Sequence, residues 1–281
     1  MSYETFTLSV ENHIAQIKLN RPEAYNSMNR AFWSEFPQAV QALDAEGEAR
    51  VLIISSTGKH FCAGMDLEVF TRPDPQMFNG EAGRRAEAMR RLVTQLQQCF
   101  SVLEEIRIPV LCAIQGGCIG GALDLVCAAD MRYCTDDAFF TIKETELGMT
   151  ADLGTLQRLP HLIPSGLARE LAYTGRKMDA YEAQHSGLVN RTYPDGAAML
   201  EGVQQIAEEI ALRSPLAVTG CKQMMNYARD HSVADSLSYM ATWQAGMFQP
   251  VDMMQTFSAK MSGQPAKFEP LRKIVPPLQK P

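Results

Sequence analysis

No two of the seven cysteines are spaced as C-x-x-C, and none of the five histidines falls in an H-x-H or H-x-x-x-H pair. The first absence argues against a thiol redox motif, the second against a metal centre. The cysteines are odd in number and mostly set in apolar runs. They read as reduced core residues of an intracellular protein. Positive charge is scarce as well: 26 Lys and Arg against 32 Asp and Glu leave a formal net charge of −6. No broad basic face for nucleic acid is indicated. No apolar run reaches membrane-spanning length. Met1-Ser2-Tyr3-Glu4 lacks the charged and apolar regions of a leader, and Leu278-Gln279-Lys280-Pro281 is not a peroxisomal address. Cytoplasm is therefore the expected location.

What is present suits one large α/β domain, or one domain with a helical appendage: 281 residues, 46% of them hydrophobic. Thr5 to Val10 and His13 to Leu19 alternate like the strands of a hairpin, with Glu11-Asn12 as the turn. Phe32, Phe36, Val40 and Leu43 recur at helical spacing between Arg30 and Asp44. Val51 to Ser55 and Pro109 to Ile114 read as short buried strands, with a long helix between them from Arg84 to Ile106. A polar stretch from Thr71 to Gly83 reads as a mobile loop. A short helix over Gly120 to Ala129 and strands over Met131 to Cys134 and Ala138 to Ile142 follow. Beyond Thr155 the pattern is mostly helical, with one strand over Leu188 to Thr192. Two lobes are expected, residues 1–200 and 201–281.

Three segments carry chemistry. In Ile114-Gln115-Gly116-Gly117-Cys118-Ile119-Gly120-Gly121-Ala122-Leu123-Asp124 a strand enters, glycines turn and a helix leaves. The first amides of such a helix lack intrahelical acceptors and face negative charge favourably. Asp124 lies one turn beyond Gly121, beside the spot where that amide points. The competing reading is close helix–strand packing with an acid for the dipole. The second segment is His60-Phe61-Cys62-Ala63-Gly64-Met65-Asp66-Leu67, where small residues admit a ligand to the backbone and the Met65 amide offers a second donor. Alone, it reads equally as an ordinary strand-to-helix turn. The third pairs Glu144 with Asp152, eight residues apart, with Glu146 between them. A loop of that length can set two carboxylates on opposite sides of a cleft. Asp152 is also well placed to cap a helix beginning at Thr155, and Glu144 to be a solvated edge residue. Two amides aimed at one oxygen, with carboxylates nearby, suit carbanion or enolate chemistry.

Together these segments resemble the enoyl-CoA hydratase/isomerase (crotonase) superfamily. Asn20-Arg21-Pro22-Glu23-Ala24-Tyr25-Asn26-Ser27-Met28-Asn29 is similar to its early coenzyme A segment. Ala172 to Arg176 and Ala183 to Val189 resemble its closing core segments. The resemblance implies a spiral of ββα units with a C-terminal helical lobe that trimerises, in trimers or dimers of trimers. It implies an acyl-CoA thioester as the small-molecule partner, held by the Met65 and Gly121 amides. It implies a coenzyme path along Ala24, Tyr25, Ala63 and Asp66, with Lys267 approaching the phosphates from a neighbouring subunit. No cofactor beyond the substrate's own coenzyme A, no metal, no nucleic acid and no membrane is expected. A lysine common in the family after Arg-Pro is Glu23 here.

Hydratases of the superfamily carry glutamates at the positions of Asp124 and Glu144. The Asp124, Glu144, Asp152 set, with Ala151-Asp152-Leu153-Gly154-Thr155, instead resembles the dienoyl-CoA isomerase branch, as do Asp136 to Phe140, Arg229 to Val233 and Tyr239 to Trp243. That resemblance implies conversion of a 3,5-dienoyl to a 2,4-dienoyl thioester. Glu144 would work at C2 and Asp152 at C6, with Asp124 orienting Glu144 or tuning the field. The roles of Glu144 and Asp152 can be exchanged. A 2-enoyl-CoA hydratase is the nearest alternative reading. An RNA-binding relative is a more distant one, for which the Arg84, Arg85, Arg90, Arg91 cluster is modest.

Overall fold

The computed structural model describes residues 3–71, 80–248 and 250–275. Most of the loop expected between Thr71 and Gly83 lies outside the described residues, while Ala82 and Gly83 already belong to a helix.

Strands β1 (Phe6–Glu11) and β2 (Ile14–Leu19) form the expected hairpin, in register from Phe6 against Leu19 to Glu11 against Ile14. Its two turn residues, Asn12 and His13, both take positive φ, at 50° and 67°. That is the backbone sense matching the twist of a two-residue hairpin. Strands β3 (Val51–Ser56), β4 (Val110–Ile114), β6 (Met131–Thr135) and β9 (Arg191–Tyr193) extend this into a six-stranded sheet, order β1-β2-β3-β4-β6-β9, parallel from β2 onward. Strand β3 is buried at every residue, and its near-continuous apolar run fits a parallel strand covered on both faces.

A second sheet joins β5 (Gly117–Ile119), β7 (Phe139–Thr141) and β8 (Met178–Asp179). After β4 the chain passes to the small sheet, back to the large one at β6, and out again at β7. The glycine-rich segment therefore does more than turn. Residues 117–119 are a strand, and the main chain of Cys118 pairs in parallel with that of Cys62, both thiols being free, which carries the segment ahead of Met65 alongside.

Helices α1 (Arg30–Glu46) and α3 (Ala82–Glu105) cover one face of the large sheet with Phe32, Phe36, Val40, Phe100 and Leu103. The other face belongs to α8 (Gly196–Ala211), whose Met199, Val203, Ala207 and Ala211 form one stripe against Ile14, Val51, Ile53, Leu111, Ala113 and Tyr133. The division expected after residue 200 thus falls inside α8. Past it come α9 (Pro215–Asp230), α10 (Val233–Met247) and α11 (Pro250–Ser262). Lys222 of α9 reaches the Leu103 and Ile108 carbonyls at 2.6 and 2.9 Å and Asp130 at 2.9 Å. Helices α10 and α11 bury no residue in the single chain and leave Val233, Leu237, Val251, Met254 and Phe257 exposed.

Candidate active site

The site lies at the C-terminal ends of β3 and β4, where both glycine-containing segments emerge. Cys62 N donates to Gly117 O at 3.2 Å and Ile119 N to Cys62 O at 3.1 Å, clamping the two segments together. The neighbouring amides are engaged: Gly64 N on Cys62 Sγ at 3.3 Å, Asp66 N on Met28 O at 3.0 Å, Gly120 N on Thr141 O at 2.9 Å. The amides of Met65 and Gly121 have no hydrogen-bond partner among the described residues. They are close neighbours, since a Cβ placed on Gly121 would stand 3.7 Å from Met65 N. Gly121 opens α4 (Gly121–Cys127), so its amide carries the helix's positive end. Two adjacent amides with no partner among the described residues are placed where one oxygen anion could meet both, the role the resemblance implied for them.

The three acids differ in what holds them. Asp124 is 1% exposed, and its Oδ1 accepts the Thr155 amide at 2.6 Å. It therefore caps α5 (Thr155–Leu162) from a different helix. The capping role considered for Asp152 is not taken up by that residue. Gly154, at φ 129°, occupies the cap position without a side chain, and the buried Asp124 supplies the oxygen. Burial is the main force raising the Asp124 pKa, to about 6, with the Asp152 charge adding to it. Glu144 precedes a 3₁₀ turn at Thr145–Leu147 that is anchored by Thr145 Oγ1 on Ala172 O at 2.7 Å. Its carboxyl rests against Gly120, where a Cβ would come within 3.1 Å of Oε1. Burial first, then the charges of Asp124 and Asp152, push Glu144 up to about 7. Asp152 is exposed in the single chain, and partial burial raises its pKa too. The Asp152 charge is felt by Asp124 and Glu144, and the Asp124 charge by Glu144, so the protonation of Glu144 depends on both neighbours. Glu146, which lies between Glu144 and Asp152 in sequence, pairs instead with Lys143.

The sign of the Asp124 effect on stability follows from its raised pKa. Between the ordinary value, near 3.8, and about 6, the folded state binds more protons than the unfolded chain. Stability contributed by the neutral carboxyl is present in acid and lost as pH climbs through that window. Asp124→Asn keeps an oxygen for the Thr155 amide and removes the buried charge. Denaturant melts at pH 8 should find it more stable than the wild type by on the order of 2–3 kcal/mol, with the gap closing by pH 4.

The coenzyme-side residues are partly brought together. Ala24 ends a 3₁₀ turn at Pro22–Ala24, and Tyr25, at φ 51°, is 54% exposed with its ring 5.4 Å from that of His60. Ala63 N donates to Tyr25 O at 3.0 Å, which places the two segments side by side. Asp66 accepts from Glu68 N at 3.1 Å, from Ser27 Oγ at 2.8 Å and from Arg21 at 3.2 Å. Those bonds, the Glu68 amide first, hold its pKa below the usual carboxylate range. Lys267 stands elsewhere. It lines a cavity of about 660 Å³ with Asn12, His13 and Arg50, at the N-terminal ends of β2 and β3. It is not part of its own chain's site.

Two bracing residues escaped the sequence reading. Buried Asn26, at φ 54°, sends Nδ2 to the Thr57 and His60 carbonyls at 2.7 and 3.0 Å. Cys62 Sγ donates to Asn26 O at 3.0 Å while accepting Gly64 N. A polar residue inside the coenzyme-like segment was the available hint for Asn26. For Cys62 there was none. No group of three or more His, Cys, Asp or Glu residues suited to a metal occurs among the described residues, and no helix among them is long and apolar enough to cross a membrane.

A paired-amide anion seat beside a carboxylate cluster, on a spiral of alternating sheets, defines a known class. The family model described as enoyl-CoA hydratase/isomerase matches residues 9–264, and the chain belongs to that family. It is 44% identical to the mitochondrial Δ3,5-Δ2,4-dienoyl-CoA isomerase of Mus musculus over 95% of this chain and 82% of that protein. It is 40% identical to the peroxisomal Δ3,5-Δ2,4-dienoyl-CoA isomerase of Arabidopsis thaliana over 96% of this chain and 99% of that protein. A solved enoyl-CoA hydratase of Bacillus anthracis superposes with a TM-score of 0.82 at 29% identity, covering 96% of this chain and 99% of that one. The fold is thus the crotonase fold expected from the sequence. The cytoplasmic location expected from the chain ends is overturned, since these isomerase relatives are mitochondrial and peroxisomal.

Proposed function

We propose that this chain is an isomerase that converts a 3,5-dienoyl-CoA into the conjugated 2,4-dienoyl-CoA. The observation that carries this reading is the acid set. Asp124 gives an oxygen to the Thr155 amide, Glu144 lies against the glycine next to the anion seat, and Asp152 stands at the open side. The relatives that share 40–44% identity over most of the chain are named for this reaction.

The thioester carbonyl sits between the Met65 and Gly121 amides, which acidify the C2 proton. Glu144 takes that proton, and the charge spreads through the diene onto the held oxygen. Asp152 delivers a proton at C6. The C2–H bond breaks, a C6–H bond forms, and the double bonds move from C3 and C5 to C2 and C4. Laying an apolar acyl chain over Asp152 removes it from water and pushes its pKa further up, which keeps it protonated for that step. Asp124 holds the start of α5 and, while charged, raises Glu144. The hydratase reading would ask Asp124 to position a water, a role its bond to Thr155 disfavours. Arg84 and Arg91 of α3 are already paired with Glu81 and Glu87, which weakens the case for RNA. The exposed apolar residues of α10 and α11 suit a homotrimer, or a hexamer built from two. Coenzyme A enters as part of the substrate along Ala24, Tyr25, Ala63 and Asp66, and Lys267 serves a neighbouring subunit. No further cofactor takes part.

With purified protein and a 3,5-dienoyl-CoA, ultraviolet absorbance should grow as conjugation forms. Asp152→Asn should slow that growth by about 10²–10⁴. Efficient hydration of crotonyl-CoA, undiminished in Asp152→Asn, would sink the isomerase reading.

A further inference from the structure

Among the described residues the Asp152 carboxyl, exposed in the single chain, bonds to no other side chain, yet the backbone that carries it is held at almost every residue. Gln97 of α3 donates from Nε2 to the Asp152 carbonyl at 2.7 Å. Arg158 of α5 approaches the Leu153 carbonyl at 3.4 Å from Nη1. Its guanidinium is fixed on α3 by Glu104, at 3.0 Å from Nε and 2.6 Å from Nη2, and by Ser101 Oγ at 3.0 Å. Glu104 is locked in turn by Arg229 of α9. Gly154 takes φ 129°, and a Cβ there would lie 1.8 Å from Arg158 Nη1, so a side chain would strain the backbone and displace the guanidinium. Thr155 is the residue capped by Asp124.

The bonds that Gln97, Arg158 and Asp124 make to the tetrapeptide 152–155 all engage main chain, not the Asp152 carboxyl, and join three helices there. We propose that Gln97 and Arg158 are positioning residues that fix where Asp152 delivers its proton. The idea rests on the assignment of Asp152 to C6. A displacement of about 1 Å at a reacting group can cost about 10²-fold. The effect should fall on the C6 step and spare the C2 step, because the side-chain bonds of Gln97 and Arg158 among the described residues go to none of Glu144, Met65 or Gly121.

That selectivity is measurable in D2O. A dienolate that fails to gain a hydron at C6 returns to substrate by gaining one at C2. The readout is deuterium at C2 of recovered 3,5-dienoyl-CoA per molecule of 2,4-dienoyl-CoA formed. Gln97→Met keeps the side chain's length and loses the donor. It should lower kcat by about 10-fold or more with KM little changed, and raise the exchange-to-product ratio by about 10-fold. Arg158→Lys, which cannot span Glu104 and Ser101 together, should move the ratio the same way. Should Arg158→Lys melt out, Gln97→Met decides alone. An unchanged ratio in Gln97→Met, whether its rate is normal or reduced, overturns the proposal, since general loosening slows both steps alike. If Gln97→Met behaves as wild type while Asp152→Asn raises the ratio, positioning by Gln97 fails and the C6 assignment stands. If Asp152→Asn leaves the ratio unmoved, the C6 assignment fails and the proposal falls with it.

Discussion

Glu144→Gln should reduce turnover of a 3,5-dienoyl-CoA by about 10³–10⁴, the upper part of the range for removing a positioned general base. The amide keeps the shape that fits against Gly120 but cannot take a proton. The amide seat remains, so KM should change little, and the loss belongs in kcat. The pH profile provides the second check. Isomerisation needs one proton shared between Glu144 and Asp152, with the base empty and the acid full. Glu144, pushed up to about 7, sets the upper limit of the singly protonated form. kcat/KM should therefore fall above about pH 7, as that proton is lost, and fall again in acid, as the second carboxyl fills. The charge on Asp124 helps hold Glu144 high. Asp124→Asn removes it, so the alkaline limb should move to lower pH. A profile flat from pH 5 to 9, or an alkaline limb unmoved by Asp124→Asn, would contradict the assignment of that limb to Glu144.

Much of this site was written in local sequence. Glycines before a short helix, small residues after a buried strand and two acids eight residues apart are features that neighbours in the chain impose. They led to Met65, Gly121, Asp124, Glu144 and Asp152. What stayed hidden depends on chain segments meeting in space. Strand β5 was invisible because Gly117-Cys118-Ile119 has no strand composition of its own, and its pairing with Phe139 to Thr141 supplies the structure. The cap of α5 comes from Asp124, 31 residues away in sequence, so proximity along the chain pointed to Asp152 instead. Gln97 sits 55 residues from its partner and looks like any glutamine on a polar helix face. Lys267 is a converse case. Its resemblance was to a residue that acts on another subunit, and a single chain leaves it beside Arg50 and His13. Helix α8 reads as an amphipathic helix of a C-terminal lobe, yet its apolar stripe fits the large sheet and belongs to the core.

Gly64→Ala should cost about 10²–10³ in kcat/KM, the loss expected when one donor of an anion seat is displaced. Gly64 takes φ 84°, and a Cβ there would lie 2.6 Å from Ile119 O and 3.2 Å from Gly121 N. The Ile119 carbonyl is part of strand β5, and the Gly121 amide is one of the two donors, so the added methyl pushes directly on the seat. Left-handed backbone carries its own penalty of about 1–2 kcal/mol for an alanine, which would lower stability without touching chemistry. Gly263→Ala separates the two effects, because Gly263 is also left-handed, at φ 67°, with no atom of the described residues within 4 Å of its added Cβ. In a thermal melt Gly263→Ala should lose only the left-handed penalty and Gly64→Ala more, because of the Ile119 carbonyl, while only Gly64→Ala loses activity by orders of magnitude. Equal activity in the two would mean that the Met65 and Gly121 amides do not hold the reacting oxygen, and the enolate mechanism built on them would have to be abandoned.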